Sequence, residues 1–340
     1  MSDPYLLAAG LLTAGPLSAP PPPLPPILPN NLSALLASIA AKALSSVEAP
    51  TIVPLVETTF PEFSQPQPSP VLIPVQDTTK QELNLQPEFK PPSTVLSPTS
   101  GSQLYQQRLA ALKAGKLYTR LPADSFQSVW AKGTVPLQQP THEQWIRLLE
   151  QEAKAVAKGQ GSNRLGILVG DSLSMWFPSE RLPSNQLWLN QGISGENSGQ
   201  ILKRLSAFSQ TRPDTIYVMA GTNDLRQGVS DRVILSNLSQ IMRRLRSNHP
   251  QAQIIVQSIL PMRIPAISNQ RIRNLNQQIA AIAQQEGVGY LNLHTLFADG
   301  EGQIARDLTT DGIHLTRSGY EVWQAGLQYA ETAIASNRLN

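Results

Sequence analysis

Four short polar stretches interrupt an otherwise apolar pattern in the second half of the chain: Gly170-Asp171-Ser172, "NQGISGENS" from Asn190, "GTNDLRQG" from Gly221, and "DGIH" ending at His314. Hydrolysis through a serine needs a nucleophile, a base, a group that orients the base, and donors for the oxyanion. Ser172 closes an apolar run and is the candidate nucleophile. His314, one of four histidines, is the candidate base. Asp311 stands three residues earlier, and on a turn that spacing lets a carboxylate hold one ring nitrogen while the other faces a serine. Asn223 offers a side-chain amide, and Gly195 and Ser172 offer backbone N–H groups, to a developing oxyanion. Each residue also has a plain structural reading: Ser172 as a helix cap, Asp311 and His314 as a helix-entry turn, Asn223 and Gly195 as loop residues. Only the combination points to catalysis. Asp171 and Asp224 are expected to anchor loops by accepting backbone N–H bonds. His142, His249 and His294, read as exposed or at element ends with no nearby acid, are expected to be structural.

Something must bring these residues together, and the pattern between them says what. Five apolar runs, "LGILVG" (165–170), "LWLN" (187–190), "TIYVMAG" (215–221), "AQIIVQSI" (252–259) and "GYLNL" (289–293), read as buried strands. Helical faces alternate with them: Ile201, Leu205 and Phe208; Ile234, Leu238, Ile241 and Leu245; Ile272, Leu275, Ile279 and Ile282; and Trp323, Leu327, Ala330 and Ile334. Apolar strands alternating with such helices predict a parallel sheet covered on both faces, a three-layer α/β/α sandwich. Ligands then bind beyond the carboxyl ends of the strands, where all the polar stretches fall. Trp176, Phe177 and Met262 follow strand ends and are candidates for an acyl pocket, although the same residue types serve equally as core. Arg263 would meet either solvent or an anionic substrate.

The rest of the chain reads differently. Of 29 prolines, 20 lie in residues 1–100, which hold three Lys/Arg against seven Asp/Glu; the overall charge is +3, leaving +7 for residues 101–340. Such a proline density excludes long helices and central strands, so residues 1–100 are expected to be disordered. Residues 1–45 fit a cytoplasmic N-terminus, a signal leading to the cell envelope or periplasm, or a membrane-surface anchor; Pro16 cuts the first apolar run short of a membrane span. Weak membrane or protein contact through this region is one expectation. Residues 101–160 read as a helical lead-in, with Thr141 and Gln144 forming a capping box. The basic excess is spread along helices, which argues against nucleic-acid binding. The chain lacks cysteine, so disulfides and thiolate catalysis are excluded. No metal-ligand spacing and no phosphate-binding glycine loop occurs, and no cofactor is expected.

Taken in order, "GDSLS", "NQGISGENS", "GTND" and "DGIH" resemble the blocks of the SGNH hydrolases, or GDSL esterases and lipases, over roughly Asn163 to Ala335. The stretches around the second and third blocks are most similar to the platelet-activating-factor acetylhydrolase branch. The resemblance implies a flavodoxin-like sheet of order 2-1-3-4-5 in a domain at 161–340. It also implies a Ser172–His314–Asp311 triad and an oxyanion hole of Ser172, Gly195 and Asn223. The implied activity is hydrolysis of a small-molecule or glycan acyl ester; the sequence shows no long apolar lid segment, which favours a short-chain or acetyl group over a long lipid. Lipase, lysophospholipase or thioesterase activity on the same fold is the nearest alternative. A different class of reading makes the proline-rich segment an interaction module on an inactive α/β support.

Overall fold

The computed structural model describes residues 98–121 and 138–339; the expectations for residues 1–97 lie outside the described residues. Among the described residues two helices come first, α1 (Gly101–Lys113) and α2 (His142–Gly159), the second opened by the Thr141/Gln144 capping box. Then follow β1 (Leu165–Gly170), α3 (Ser172–Met175), β2 (Leu187–Gly192), α4 (Ser198–Lys203), β3 (Thr215–Met219), α5 (Thr222–Arg226), α6 (Asp231–Asn248), β4 (Gln253–Gln257), α7 (Asn269–Gln285), β5 (Gly289–Leu291), α8 (His294–Phe297) and α9 (Arg317–Leu339). All strand pairings are parallel, and the order is β2-β1-β3-β4-β5.

Side chains alternate across the sheet, as the strand period of two requires. Ile167, Val169, Ile216, Val218, Ile254 and Val256 point to one face and meet Ile234, Leu238, Ile241 and Leu245 of α6 and Ile272, Leu275 and Ile279 of α7. Leu168, Tyr217, Met219 and Ile255 point to the other and meet Trp323, Leu327, Ala330 and Ile334 of α9. Burying each such aliphatic side chain contributes roughly 1.5–3 kcal/mol. A third cluster joins α1 and α2 to the β1–β2 end through Leu104, Trp145, Leu148, Leu149, Met175 and Ile193.

Several boundaries differ from the sequence pattern. β2 runs two residues beyond "LWLN", through the polar Gln191 and Gly192, because both still pair with β1. β3, β4 and β5 stop short of the apolar runs that contain them. The helix expected to carry Ile201, Leu205 and Phe208 on one face ends at Lys203 and continues as a 3-10 turn over Leu205–Phe208. The break falls at Arg204, whose guanidinium turns inward to Glu196. All three apolar residues are buried nevertheless.

Candidate active site

β1 delivers Ser172 to the sheet's carboxyl edge through a turn too tight for side chains. A Cβ on Gly170 would strike the Ser174 hydroxyl and lie 2.7 Å from the Met219 carbonyl oxygen, and one on the paired Gly192 would meet the Met175 backbone. Asp171 caps α3, its Oδ1 accepting the Leu173 N–H at 3.0 Å. The short helix is then held from outside: Asn190 Nδ2 donates to the Ser174 carbonyl (2.7 Å), the Tyr320 hydroxyl donates to the Leu173 carbonyl (3.1 Å), and the Ser194 N–H and hydroxyl point at the Met175 sulfur.

The "DGIH" turn arrives from the far side of the sheet. Asp311 Oδ1 accepts the backbone N–H groups of Ile313 (3.0 Å) and His314 (2.8 Å), while its Oδ2 lies 2.7 Å from His314 Nδ1. His314 Nε2 lies 3.2 Å from Ser172 Oγ. A carboxylate only accepts, so Nδ1 carries the proton and Nε2 presents its lone pair to the serine. Burial pushes the Asp311 carboxyl upward, but the bonds from the His314 ring and from the two backbone N–H groups outweigh it and hold the group below the usual carboxylate value. The turn rests on the loop after β4. Gly312, at φ 91°, lets its carbonyl accept the Arg263 N–H at 2.9 Å, and a Cβ there would lie 2.8 Å from the Arg263 carbonyl oxygen. The Arg263 guanidinium is engaged by Asp299 and the Ile304 carbonyl. These contacts make it a strut of this loop.

Asn223 stands at the start of α5. Its amide nitrogen donates to the Glu196 carbonyl (3.0 Å) and, more weakly, to Asp171 Oδ2 (3.3 Å), and its oxygen accepts from Arg226 Nη1 (3.1 Å). Acceptor-only partners on one side and a donor-only partner on the other fix which way the amide faces. Gly195 has φ 82°, and the position a Cβ would occupy is open space. Asp224 receives the Ser198 N–H (2.7 Å) and hydroxyl (2.5 Å), so it anchors the second loop as expected. Asp171 is fully buried, and its carboxyl is pushed up to about 6, mainly by burial and with a contribution from Asp224, against the lowering effects of the Leu173 N–H and of His314.

Of the three candidate pocket residues, Phe177 lies in the apolar interior, edge-on to Tyr320 and Trp323. Met262 is buried in the cluster beneath α6 and α7. Trp176 is partly exposed and packs between the second and third clusters. The other histidines need correction. His249 and His294 are buried, not exposed, and burial pushes each down to about 4. His249 stacks on Phe208 with ring centroids 5.6 Å apart. His142 does have an acid beside it: Nε2 lies 2.8 Å from Oε1 of the buried Glu196, whose Oε2 accepts from Arg204 Nε at 2.6 Å. From the sequence alone, Glu196, Arg204 and Arg226 have no assigned role, and His142 is expected to be structural with no acid beside it. Among the described residues, no group of three or more His, Asp or Glu side chains could hold a metal ion, and no helix is long and apolar enough to cross a membrane.

A parallel α/β/α sandwich with a serine, an imidazole and a carboxylate in hydrogen-bonding sequence at its carboxyl edge has the layout of an acyl-transferring hydrolase. Residues 157–322 match the family model of the GDSL-like lipase/acylhydrolase family, and this part of the chain is a domain of that family. Esterase- or lipase-type hydrolysis of carboxylic esters is the activity class that goes with that membership. The chain is 25% identical over 202 residues to the human platelet-activating factor acetylhydrolase IB subunit alpha1, an alignment covering 54% of this chain and 84% of that one. It also matches part of an N-acylneuraminate cytidylyltransferase of Streptococcus agalactiae, at 25% identity over 43% of that protein. A Streptococcus pneumonia structure solved as a candidate platelet activating factor superposes with TM-score 0.50 at 26% identity, covering 55% of this chain and 94% of that one.

Proposed function

We propose that the chain is a serine esterase in which Ser172 attacks the acyl carbonyl, His314 takes and returns the proton, and Asp311 holds the imidazole. The Asp311–His314–Ser172 succession of contacts, 2.7 and 3.2 Å long, is the observation that carries this reading. The oxyanion is received by the Ser172 and Gly195 N–H groups and by the Asn223 Nδ2 hydrogen that otherwise makes the weak 3.3 Å bond to Asp171, the bond to the Glu196 carbonyl being kept. The alcohol leaves with the proton from His314, and water, which reaches the half-exposed imidazole, repeats the sequence on the acyl-enzyme.

The favoured substrate is an ester of a short acyl group, acetyl included. Two features support the preference. Phe177 and Met262, two of the candidates for an acyl pocket, are committed to the interior, and the relatives of the platelet-activating factor acetylhydrolase branch remove an acetyl group by name. The full chain should hydrolyse p-nitrophenyl acetate and react with a fluorophosphonate at Ser172, with Ser172→Ala silent in both assays. A wild-type chain that is folded yet neither labelled nor active would refute the assignment. Rates falling from C2 to C12 esters are expected; a maximum at C8 or above would move the reading to a lipase.

A further inference from the structure

Both loop-borne oxyanion donors are attached to one residue, Glu196. The Gly195 N–H lies one residue before it on the chain, and Asn223 Nδ2 donates to its carbonyl at 3.0 Å. The Glu196 side chain is 1% exposed, and each carboxylate oxygen has a different owner. Oε2 is held by Arg204 Nε, and Arg204 Nη2 in turn donates to the Gly170 carbonyl (3.1 Å) at the end of the nucleophile's strand. Oε1 is held by His142 Nε2. A carboxylate pinned through both oxygens cannot pivot; pinned through one, it can, and it then no longer braces the loop from which the Glu196 carbonyl meets Asn223. His142 opens α2, ahead of the segment that matches the family. That helix is itself rigidly seated, by its capping box, by Trp145, Leu148 and Leu149 packing with Met175 and with Ile193 of the same oxyanion loop, and by the buried Arg108–Glu152 pair.

We propose that His142 is a positioning residue for the oxyanion hole, acting through Glu196, so that the helical lead-in forms a working part of the active site. The proposal rests on the Ser172 esterase reading. Because Glu196 only accepts, Nε2 must donate in this contact, and a glutamine amide at position 142 can replace it. Oxyanion donors act within a few tenths of an ångström, and a displacement of 1 Å caused from a distance can cost a hundredfold in rate.

The test uses the full chain with His142→Ala and His142→Gln, reading kcat and KM for p-nitrophenyl acetate, inhibition by an aryl trifluoromethyl ketone that forms a hemiketal oxyanion on serine, and thermal midpoint. For His142→Ala a five- to fiftyfold fall in kcat is expected, with KM within twofold and ketone affinity falling in parallel; His142→Gln should recover most of both. Unchanged kcat in His142→Ala overturns the proposal and leaves the triad standing. So does a loss that follows the thermal midpoint and is not recovered by glutamine. An inactive wild type overturns the esterase reading and this proposal with it.

Discussion

Replacing Asp311 by asparagine should preserve the shape of the "DGIH" turn while reversing the hydrogen-bonding role of its histidine. The Ile313 and His314 N–H groups both donate to Oδ1, so the amide oxygen of an asparagine must take that place and its NH2 must face His314 Nδ1. Nδ1 then has to accept, the ring proton moves to Nε2, and Ser172 meets a donor where it needs a base. Holding the productive tautomer against the facing NH2 costs about 2 kcal/mol, the usual penalty of an unmet donor. The lost attraction between carboxylate and imidazolium adds about 2 kcal/mol, half of the near-surface Coulomb value because the two side chains are 52% and 42% exposed. Together, about 4 kcal/mol corresponds to a roughly thousandfold fall in kcat. The measurement is p-nitrophenyl acetate turnover alongside the second-order rate of fluorophosphonate labelling, with thermal midpoint as control. Both rates should fall together and the midpoint should stay within about 2 °C, since the backbone bonds of the turn survive. Less than a tenfold loss would mean that Asp311 does not set the tautomer, and the proton route drawn above would be wrong.

Other consequences are testable in the same way. Asn223→Ala removes one oxyanion donor and should lower kcat about a hundred- to a thousandfold with little change in KM; a change confined to KM would assign Asn223 to ground-state binding instead. Gly192→Ala drives a methyl group into the Met175 backbone, and a loss of about 3 kcal/mol or more is expected in urea unfolding, whereas a loss below 1 kcal/mol would show that α3 can shift away. His249 titrates near 4 when folded and about 6.5 when unfolded, so its contribution to stability is complete above pH 6.5 and is lost as the pH falls toward 4. His249→Phe should remove on the order of 2 kcal/mol of acid sensitivity between pH 7 and 4.5. Parallel pH curves for variant and wild type would contradict this.

The parallel sheet and the pairing of Asp311 with His314 were legible in the residues, for a physical reason, whereas the strand order came only with the family resemblance. Buried strands such as "LGILVG" and "TIYVM" are apolar on both faces, and Asp311 and His314 lie on one turn, so their contact is local. What local pattern could not show were links between distant residues: His142 to Glu196, Arg204 to Gly170, Arg263 to Asp299. Nothing in the sequence around His142 marks it, since it presents the polar side of a helix opening, and its acid is 54 residues away. The extent of β2 was also hidden, because beyond the run ending at Asn190 it continues through the polar Gln191 and through Gly192. The polar side chains within the strand still find partners: Asn190 donates to the Ser174 carbonyl and accepts the Gly192 N–H, and the Gln191 amide nitrogen donates to the Leu149 carbonyl, although the Gln191 side-chain oxygen is buried with no hydrogen-bond partner among the described residues. Phe177 and Met262 show the converse limit: an apolar residue after a strand end suits a pocket and a core equally, and only the packing decides.

β2 is one rim of the sheet, and two of its carbonyls are already taken, that of Asn190 by Arg108 (2.7 Å) and that of Trp188 by Thr119 (2.5 Å). A rim left open is a template on which a second chain can stack. Here the preceding segment occupies those acceptors with side chains that cannot propagate a ladder, so the same residues that lead into the catalytic unit also discourage self-association along this edge.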